Sequence, residues 1–303
     1  MRHLIKKIYK ETLLGKLLIS PLKILYDYYQ FRVLPEKDYL RKTFKRNLGY
    51  ELDLEKPVTL NAKLQWLKLN DRTPLHTKCA DKYRVREYVR HKIGEKYLIP
   101  LLFQSYDIKD VAPQNIGKEP YIIKTNHDNG GGVIVRNKND IDWYKVRKEL
   151  KNKIEKNYYY LGKEWQYKNI KPCVIAEQLL LDENNEIPSD YKLHCFNGKV
   201  EIIQVDTGRF TNHERHLHDR NWGLINCQWF YKSGKGVEKP FNIDEMIDVA
   251  EKLSEEFIFA RIDFYSVKGK LYFGEITFHP GSGWEFFEPV KYDYFYGEKL
   301  KLK

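Results

Sequence analysis

Hydrophobic positions change their period along this chain, and the changes outline its elements. Leu4, Ile5, Ile8, Leu13, Leu14, Leu17 and Leu18 recur at helical spacing with lysines between them, which predicts an amphipathic basic helix. Through residue 77 the pattern gives helices and connections without strand–helix alternation. Asp81–Ile93 predicts a short helix closed by Gly94, with Tyr83, Val85, Tyr88, Val89 and Ile93 as its apolar stripe. From Tyr121 strands take over: Y-I-I-K, the loop T-N-H-D-N-G-G-G, then V-I-V-R. A helix over Asp142–Lys156 follows, with Trp143, Val146, Leu150 and Ile154 at helical spacing. After Pro172 comes the apolar run C-V-I-A-E-Q-L-L-L, then a hairpin over Tyr191–Val205 turning at Asn197-Gly198. A last helix, Ile243 to about Phe257, is announced by the capping box Asn242/Glu245. The whole reads as an α+β body with antiparallel sheets, without internal repeats or low-complexity tracts.

The closing pair of runs carries the clearest chemistry. Arg261–Val267 and Leu271–Phe278 flank Lys268-Gly269-Lys270, which reads as a three-residue hairpin loop with glycine at the left-handed position. This register sets Val267 opposite Leu271, Asp263 opposite Glu275 and Arg261 opposite Thr277 on one face. Ile262, Phe264, Tyr272, Ile276 and Phe278 fall on the other, buried face. Like charges opposed across a strand pair repel unless something positive lies between them. A hard divalent cation, Mg²⁺ beside phosphates, suits two oxygen ligands so placed. Without it, removing either charge should relieve the hairpin. The plain alternative is two surface carboxylates bonded to Arg261, worth roughly 0–1 kcal/mol; the H-P-G-S-G segment that follows, residues 279–283, favours a site.

Asn126–Gly132 is glycine-rich, but V-I-V-R after it is a strand and there is no G-K-[ST], so neither a P-loop nor a dinucleotide turn fits. A glycine turn between antiparallel strands can fold over phosphates through its N–H groups, or it can be a loose hairpin tip. Lys124 favours the first reading, because it places a charge among Ile122, Ile123 and Val133, where burial is costly unless the charge is paired. Lys192 repeats the anomaly. With the Asn-Gly turn setting register, Lys192, His194 and Glu201 share one face and Leu193, Cys195, Val200 and Ile202 the other. Two strand lysines, a glycine lid and opposed carboxylates are the parts of a Mg-nucleotide site.

Composition narrows the partners. The 303 residues suffice for one large domain or two lobes, and 42% hydrophobic with 15% aromatic content excludes disorder. A net charge of +11 favours anions: nucleotides, acidic glycans or anionic lipids. The basic residues form no nucleic-acid-binding motif, so nucleic acid is not expected. The 23 tyrosines suit carbohydrate or nucleotide faces, although a coding bias toward Lys, Tyr, Ile and Asn gives the same excess. Cys79, Cys173, Cys195 and Cys227 are widely spaced and read as free thiols of a reducing cytosol. The N-terminal stretch lacks the apolar core of a signal peptide or membrane span; its basic helix can lie on a membrane surface or pack on the protein. N-H-E-R-H-L-H-D, residues 212–219, lacks fixed metal-ligand spacing and reads as a mobile substrate loop.

The order of strand lysine, glycine loop, V-I-A-E-Q-L-L, second lysine, R-x-D and E-x-T-x-x-P-G resembles the ATP-grasp superfamily. D-K-Y-R-V-R-E-Y-V, D-Y-K-L-H-C-F-N-G-K and Y-F-G-E-I-T-F-H-P-G-S-G resemble its TupA-like branch, named for teichuronopeptide biosynthesis, over about residues 40–298. The resemblance implies two α+β lobes whose antiparallel sheets clasp ATP, with a helical N-terminal extension. Residues 1–77 would be a helical region, membrane-peripheral or substrate-binding. Residues 78–303 would be catalytic, with a glycine-loop lobe over about 120–172 and a metal-binding lobe over about 173–290. Lys124 would meet the α-phosphate side of ATP, with Lys82 a further phosphate partner; Asn126, Asn129, Gly130, Gly131 and Gly132 would close over the β- and γ-phosphates. Glu177, Gln178 and Leu180 match the hinge that meets adenine through backbone groups, and Asp182 would contact the ribose. Lys192 would reach the γ-phosphate. Asp263 and Glu275 would bind Mg²⁺, and Thr277 stands where most relatives carry a metal-binding Asn. Arg261, with Arg209, would stabilise an acyl phosphate and the tetrahedral intermediate.

The implied reaction is ATP-dependent, cytoplasmic amide formation through an acyl phosphate, joining an amino acid or other amine to a uronic acid of a cell-surface polysaccharide. Contact with the inner face of the membrane or with glycan-assembly machinery accompanies that reading. The rivals are a glycan kinase on the same fold and a nucleotide-binding peripheral membrane protein without turnover. ADP release that depends on an added amine separates the three.

Overall fold

The computed structural model describes residues 12–128, 130–208 and 212–303. They form two compact units, one reaching Leu52 and one running from Asp53 to Lys303. In the first, helix α1 (Leu13–Tyr28) continues into a π-helical turn over Tyr29–Val33, and α2 (Glu36–Leu48) ends on Gly49. Tyr39, Leu40 and Phe44 give α2 a buried stripe, whereas Leu22, Leu25 and Tyr29 are exposed. Leu4, Ile5 and Ile8 of the predicted basic helix lie outside the described residues.

The second unit opens with α3 (Leu60–Asn70), capped by Thr59 Oγ1, which accepts the Ala62 N–H at 3.1 Å. Helix α4 (Pro74–Ala80) begins on a proline. Helix α5 covers Val85–Lys92 and not the predicted Asp81–Ile93, because Asp81 Oδ1 accepts the N–H groups of Tyr83 and Arg84 at 2.9 and 3.2 Å and holds a turn there. Strands β1 (Leu101–Ser105), β2 (Tyr121–Thr125), β3 (Val133–Val135) and β4 (Val174–Gln178) make an antiparallel sheet in the order β1-β4-β2-β3. Helix α6 (Trp143–Ile154) packs Val146 and Leu150 on Tyr121, Ile123, Val174 and Ala176, and a short α7 (Tyr159–Gly162) follows it.

The larger sheet contains β5 (Asp190–Phe196), β6 (Lys199–Thr207), β7 (Glu214–His218), β9 (Lys232–Ser233), β10 (Phe259–Val267) and β11 (Lys270–Thr277), in the order β11-β10-β5-β6-β7-β9. Its strands pair antiparallel except for β7 with β9, which pair parallel. A separate two-stranded ribbon joins β8 (Gln228–Trp229) to β12 (Phe287–Glu288). Helix α8 (Ile243–Ser254) covers one face of the large sheet, burying Met246, Ala250 and Leu253 against Leu193, Ile203, Ile262 and Phe264. The opposite face is divided. At one end, α3 and α9 (Lys291–Lys299) bury Leu60, Leu64 and Tyr296 against Phe196, Ile202 and Phe259; at the other end the same strands carry charges into a cleft.

Two bulges change the predicted registers. The β10–β11 turn has two residues, Lys268 and Gly269 at φ +48° and +77°, so Val267 faces Lys270 and not Leu271. A bulge after Asp263 returns the missing residue, and Asp263 faces Glu275 and Arg261 faces Thr277 as predicted. Between turn and bulge the faces are exchanged: Leu271 and Phe273 are core residues and Tyr272 is not. In β5–β6 the Asn197-Gly198 turn is as predicted, but a bulge between His194 and Cys195 sets His194 opposite Ile202 and Lys192 opposite Gln204. Glu201 therefore leaves the face of Lys192 and pairs with Lys299, and Ile202 joins His194. The capping box is not made: Asn242 Oδ1 accepts from Ser266 Oγ at 3.1 Å and Glu245 accepts from Tyr97 at 2.8 Å. The histidine segment is not a loop, since Glu214–His218 pairs with β6. The four cysteines are buried free thiols, each raised to about 12 by burial.

Candidate active site

The charged end of the large sheet owes its pattern to register. Asp263 faces Glu275 on one side and Lys192 on the other, and Arg261 faces Thr277 and His194. Because opposed residues share a face, all six side chains project together. Arg261 lies between the two carboxylates: its Nε and Nη2 bond Asp263 at 2.7 and 2.8 Å, and Nη2 also bonds Glu275 at 2.8 Å. Thr277 Oγ1 donates to Glu275 at 3.0 Å. Lys192 pairs with Asp190 and stands 3.9 Å from Asp206.

The carboxylates differ in electrostatics. Burial pushes Asp263 up, and Arg261 and Lys192 only partly offset it, leaving it at about 6. Burial also opposes charge on Glu275, but Lys82 and Arg261 outweigh it and hold that carboxyl at about 2. Arg261 stays cationic because its two carboxylates more than offset its burial.

The small sheet supplies the facing wall. Lys124 Nζ lies 2.7 Å from Glu177, whose other oxygen takes an Arg86 hydrogen bond at 2.9 Å. Lys82, in the turn before α5, reaches both sides: it donates to the Asp128 carbonyl in the glycine loop and lies 3.7 Å from Glu275. Lys153 of α6 holds the loop from outside, donating to the Gly131 carbonyl at 2.7 Å. Gly132 cannot be replaced without displacement, since a Cβ there would sit 2.5 Å from the Ile123 carbonyl and 2.7 Å from Ile122.

A cleft of about 320 Å³ lies between these walls, lined by Lys82, Lys124, Gly130, Gly131, Gly132, Lys192, Arg261, Asp263 and Glu275, together with Ile99, Ile122, Asp190, Tyr265 and Gly274. Most of the predicted site residues thus converge. Glu177 stands behind Lys124, and Thr277 stands beside Glu275. Asn126 does not line the cleft; its side chain bonds the Lys171 carbonyl and the Cys173 N–H at 3.1 and 2.8 Å, tying the loop base to β4. Gln178 ends β4 and Leu180 follows it, and Asp182 folds an Asx turn by accepting from the Asn184 and Glu186 N–H groups at 2.8 and 2.9 Å. Asn129 and Arg209 lie outside the described residues. Arg86, Lys153, Asp190 and Asp206 were not assigned from the sequence, where no local signal sets them apart.

Cationic groups on both walls suit a polyphosphate, and two carboxylates within the cleft suit a hard cation beside it. The donor set fits Mg²⁺ through Asp263 and Glu275, whose two negative charges are bridged by a single guanidinium that offsets only one of them. Among the described residues, no group of three or more His, Cys, Asp or Glu forms a metal cluster, so phosphate and water oxygens would complete the shell.

The TupA-like ATP-grasp family model matches residues 62–301. No curated protein matches the chain. Among solved structures, the chain is similar to an L-amino acid ligase from Bacillus licheniformis, at 15% identity over 87% of this chain and 61% of that one, with a TM-score of 0.48. It is also similar to N5-carboxyaminoimidazole ribonucleotide synthetase in complex with ADP, at 14% identity over 72% and 50% of the chains and a TM-score of 0.39. The ATP-grasp ligase PsnB, complexed with a phosphomimetic variant of its minimal precursor, Mg and ADP, gives 11% identity over 72% and 58% with a TM-score of 0.39. The chain spans 50% to 61% of the length of these proteins.

Proposed function

This chain belongs to the TupA-like ATP-grasp family, and from that premise we propose that it is an ATP-dependent carboxylate–amine ligase. The observation that carries the reading is the cleft in which lysines from two sheets face one opposed carboxylate pair. Lys82, Lys124 and the glycine loop hold the phosphates, and Lys192 reaches the γ-phosphate. A Mg²⁺ bound through Asp263 and Glu275 neutralises phosphate charge when present. The substrate carboxylate attacks the γ-phosphorus, the bond to the β,γ-bridging oxygen breaks and ADP departs, and an amine then displaces phosphate from the acyl phosphate to give an amide. Arg261 stabilises the anionic oxygens of that exchange, so catalysis is positioning and charge neutralisation in a closed site. Residues 78–303 carry this chemistry, and Asn129 and Arg209 are assigned to the phosphate lid and the acyl phosphate.

The carboxylate is assigned to a uronic acid of a cell-surface polysaccharide and the amine to an amino acid, which accords with a net charge of +11. Peripheral contact with an anionic membrane is supported by exposed Leu22, Leu25 and Tyr29 and by seven basic against two acidic residues in the first 33. No helix among the described residues is long and apolar enough to cross a membrane. The test is incubation with ATP, Mg²⁺, a uronic-acid glycan and a panel of amino acids, followed by product masses. ADP release that requires the amine, with a product mass lower by one water than the two substrates together, is the expected result. A phosphorylated glycan formed without amine overturns the ligase in favour of a kinase.

A further inference from the structure

The charged face does not stop at Lys192. Asp206, 3.9 Å beyond it on β6, accepts from Arg215 Nε at 3.0 Å and from Gln204 at 2.9 Å. Burial disfavours its charge, but Arg215 and Lys192 outweigh that and keep the carboxyl below its usual range. On its other side stands His213. The imidazole stacks on Tyr231 with ring centres 3.7 Å apart and planes at 29°, and it turns Nε2 toward Asp206 Oδ1 at 3.6 Å. That nitrogen is buried and has no hydrogen-bond partner, while the side chain as a whole keeps 22% exposure. An aromatic platform thus fixes the ring plane, and the neighbouring carboxylate favours the tautomer that carries its proton on Nε2, with no hydrogen bond made at 3.6 Å. In that tautomer Nδ1 carries the lone pair. This is the relation of a base to its orienting acid, and it lies one carboxylate away from the lysine assigned to the γ-phosphate.

The geometry points to His213 as the general base that deprotonates the incoming amine. The inference rests on the ligase reading and adds to it the residue that activates the second substrate. An amino acid arrives as an ammonium ion, which has no lone pair to attack with. His213 Nδ1 takes one proton, and the freed nitrogen pair forms the C–N bond at the acyl carbon. The C–O bond to phosphate breaks with its electron pair on the departing phosphate, the second N–H proton leaves with phosphate, and His213 returns its proton to solvent. Asp206 stabilises the imidazolium between these events.

The test compares two nucleophiles. Hydroxylamine is unprotonated at neutral pH and needs no base, whereas the accepted amino acid does. With ATP, Mg²⁺ and the uronic-acid acceptor, His213→Gln should lose about 10²-fold in kcat for amide formation. Its hydroxamate formation, its KM for ATP and its melting temperature should be unchanged. His213→Ala, which also removes the ring from Tyr231, should show the same split. Equal losses with both nucleophiles, or full amide formation by His213→Gln, would overturn the assignment. If the wild-type chain makes amide but never hydroxamate, the pH profile of amide formation decides: the activity of His213→Gln should recover toward the pH at which the amine is unprotonated, and a profile parallel to the wild type would overturn the assignment. If it makes neither, the ligase reading itself fails and the His213 assignment falls with it.

Discussion

The two walls of the cleft are built in different ways. The large sheet presents its chemistry from strands of seven to nine residues, and each group is placed by pairing: Glu275, Asp263 and Lys192 stand side by side on adjacent strands, with Thr277, Arg261 and His194 in the next row on the same face. The small sheet has strands of three to five residues and sends one lysine into the cleft. Its remaining groups arrive from outside the ladder: Lys82 and Arg86 from the chain around α5, and Lys153 from α6. A long antiparallel ladder makes position a matter of counting residues. A short sheet under a glycine loop depends on tertiary contacts that no local period encodes.

The largest expected effect breaks the ladder side. Asp263→Asn and Glu275→Gln should each lower Mg²⁺-dependent ATP turnover by at least about 10²-fold, since each removes charge that no neighbour on the small sheet can replace. Retained secondary structure by circular dichroism would show that the loss is chemical. Near-normal Mg²⁺-dependent ATP consumption by either variant would move the metal site elsewhere.

What could be read from the sequence follows the same division. Asp263 opposite Glu275 was legible, and it held although the turn was misjudged: the turn is one residue shorter, and the bulge after Asp263 compensates for it. In β5–β6 nothing compensates. The bulge at His194 moves Glu201 out of the site and sets Gln204 beside Lys192, with Asp206 two residues further on the same face. A bulge shifts the apolar and polar alternation by a single residue, a change of phase too small to be told from ordinary variation in the pattern. Arg86 was out of reach for another reason. It braces Glu177 behind Lys124 across 91 residues of sequence, and an exposed helix arginine looks the same before folding. The capping box failed because Glu245 and Asn242 found tertiary partners, Tyr97 and Ser266, a case of packing overriding a local preference.

The lysines sharpen the comparison. Lys192→Ala and Lys124→Ala should each weaken ATP binding by at least about tenfold, because phosphate charge is left uncompensated in a partly desolvated cleft. Their effects on stability should differ. Without Lys124, Glu177 keeps Arg86 at 2.9 Å. Without Lys192, Asp190 loses an ion-pair partner and Asp206 and Asp263 lose a nearby positive charge. Urea unfolding should show Lys192→Ala destabilised by about 1–3 kcal/mol and Lys124→Ala much less. Calorimetric ATP titration supplies the other half, and unchanged affinity in both variants would remove the lysines from the site.

The smallest effect lies within the opposed pair itself, where the structure revises a symmetric expectation. Two facing carboxylates suggest that removing either relieves repulsion, but Arg261 already stands between them and Lys82 adds to Glu275 alone. Asp263 is raised from its usual value to about 6, so folding favours its protonated form. That contribution is present below its unfolded value and is lost as pH rises through about 6. Glu275 is held at about 2, so its contribution is present above its unfolded value and is lost only as pH falls toward about 2. In metal-free buffer at neutral pH, Asp263→Asn should therefore raise the melting temperature and Glu275→Gln should lower it. The shift of Asp263 corresponds to at most about 3 kcal/mol, and the effect at Glu275 is smaller because that side chain is about one-third exposed and its charges are screened. Melting curves from pH 4 to pH 8 in the presence of a chelator would show the wild-type chain losing stability across the pH range in which Asp263 ionises. The Asp263→Asn variant should lack that step, and shifts of the same sign in both variants would restore the symmetric picture.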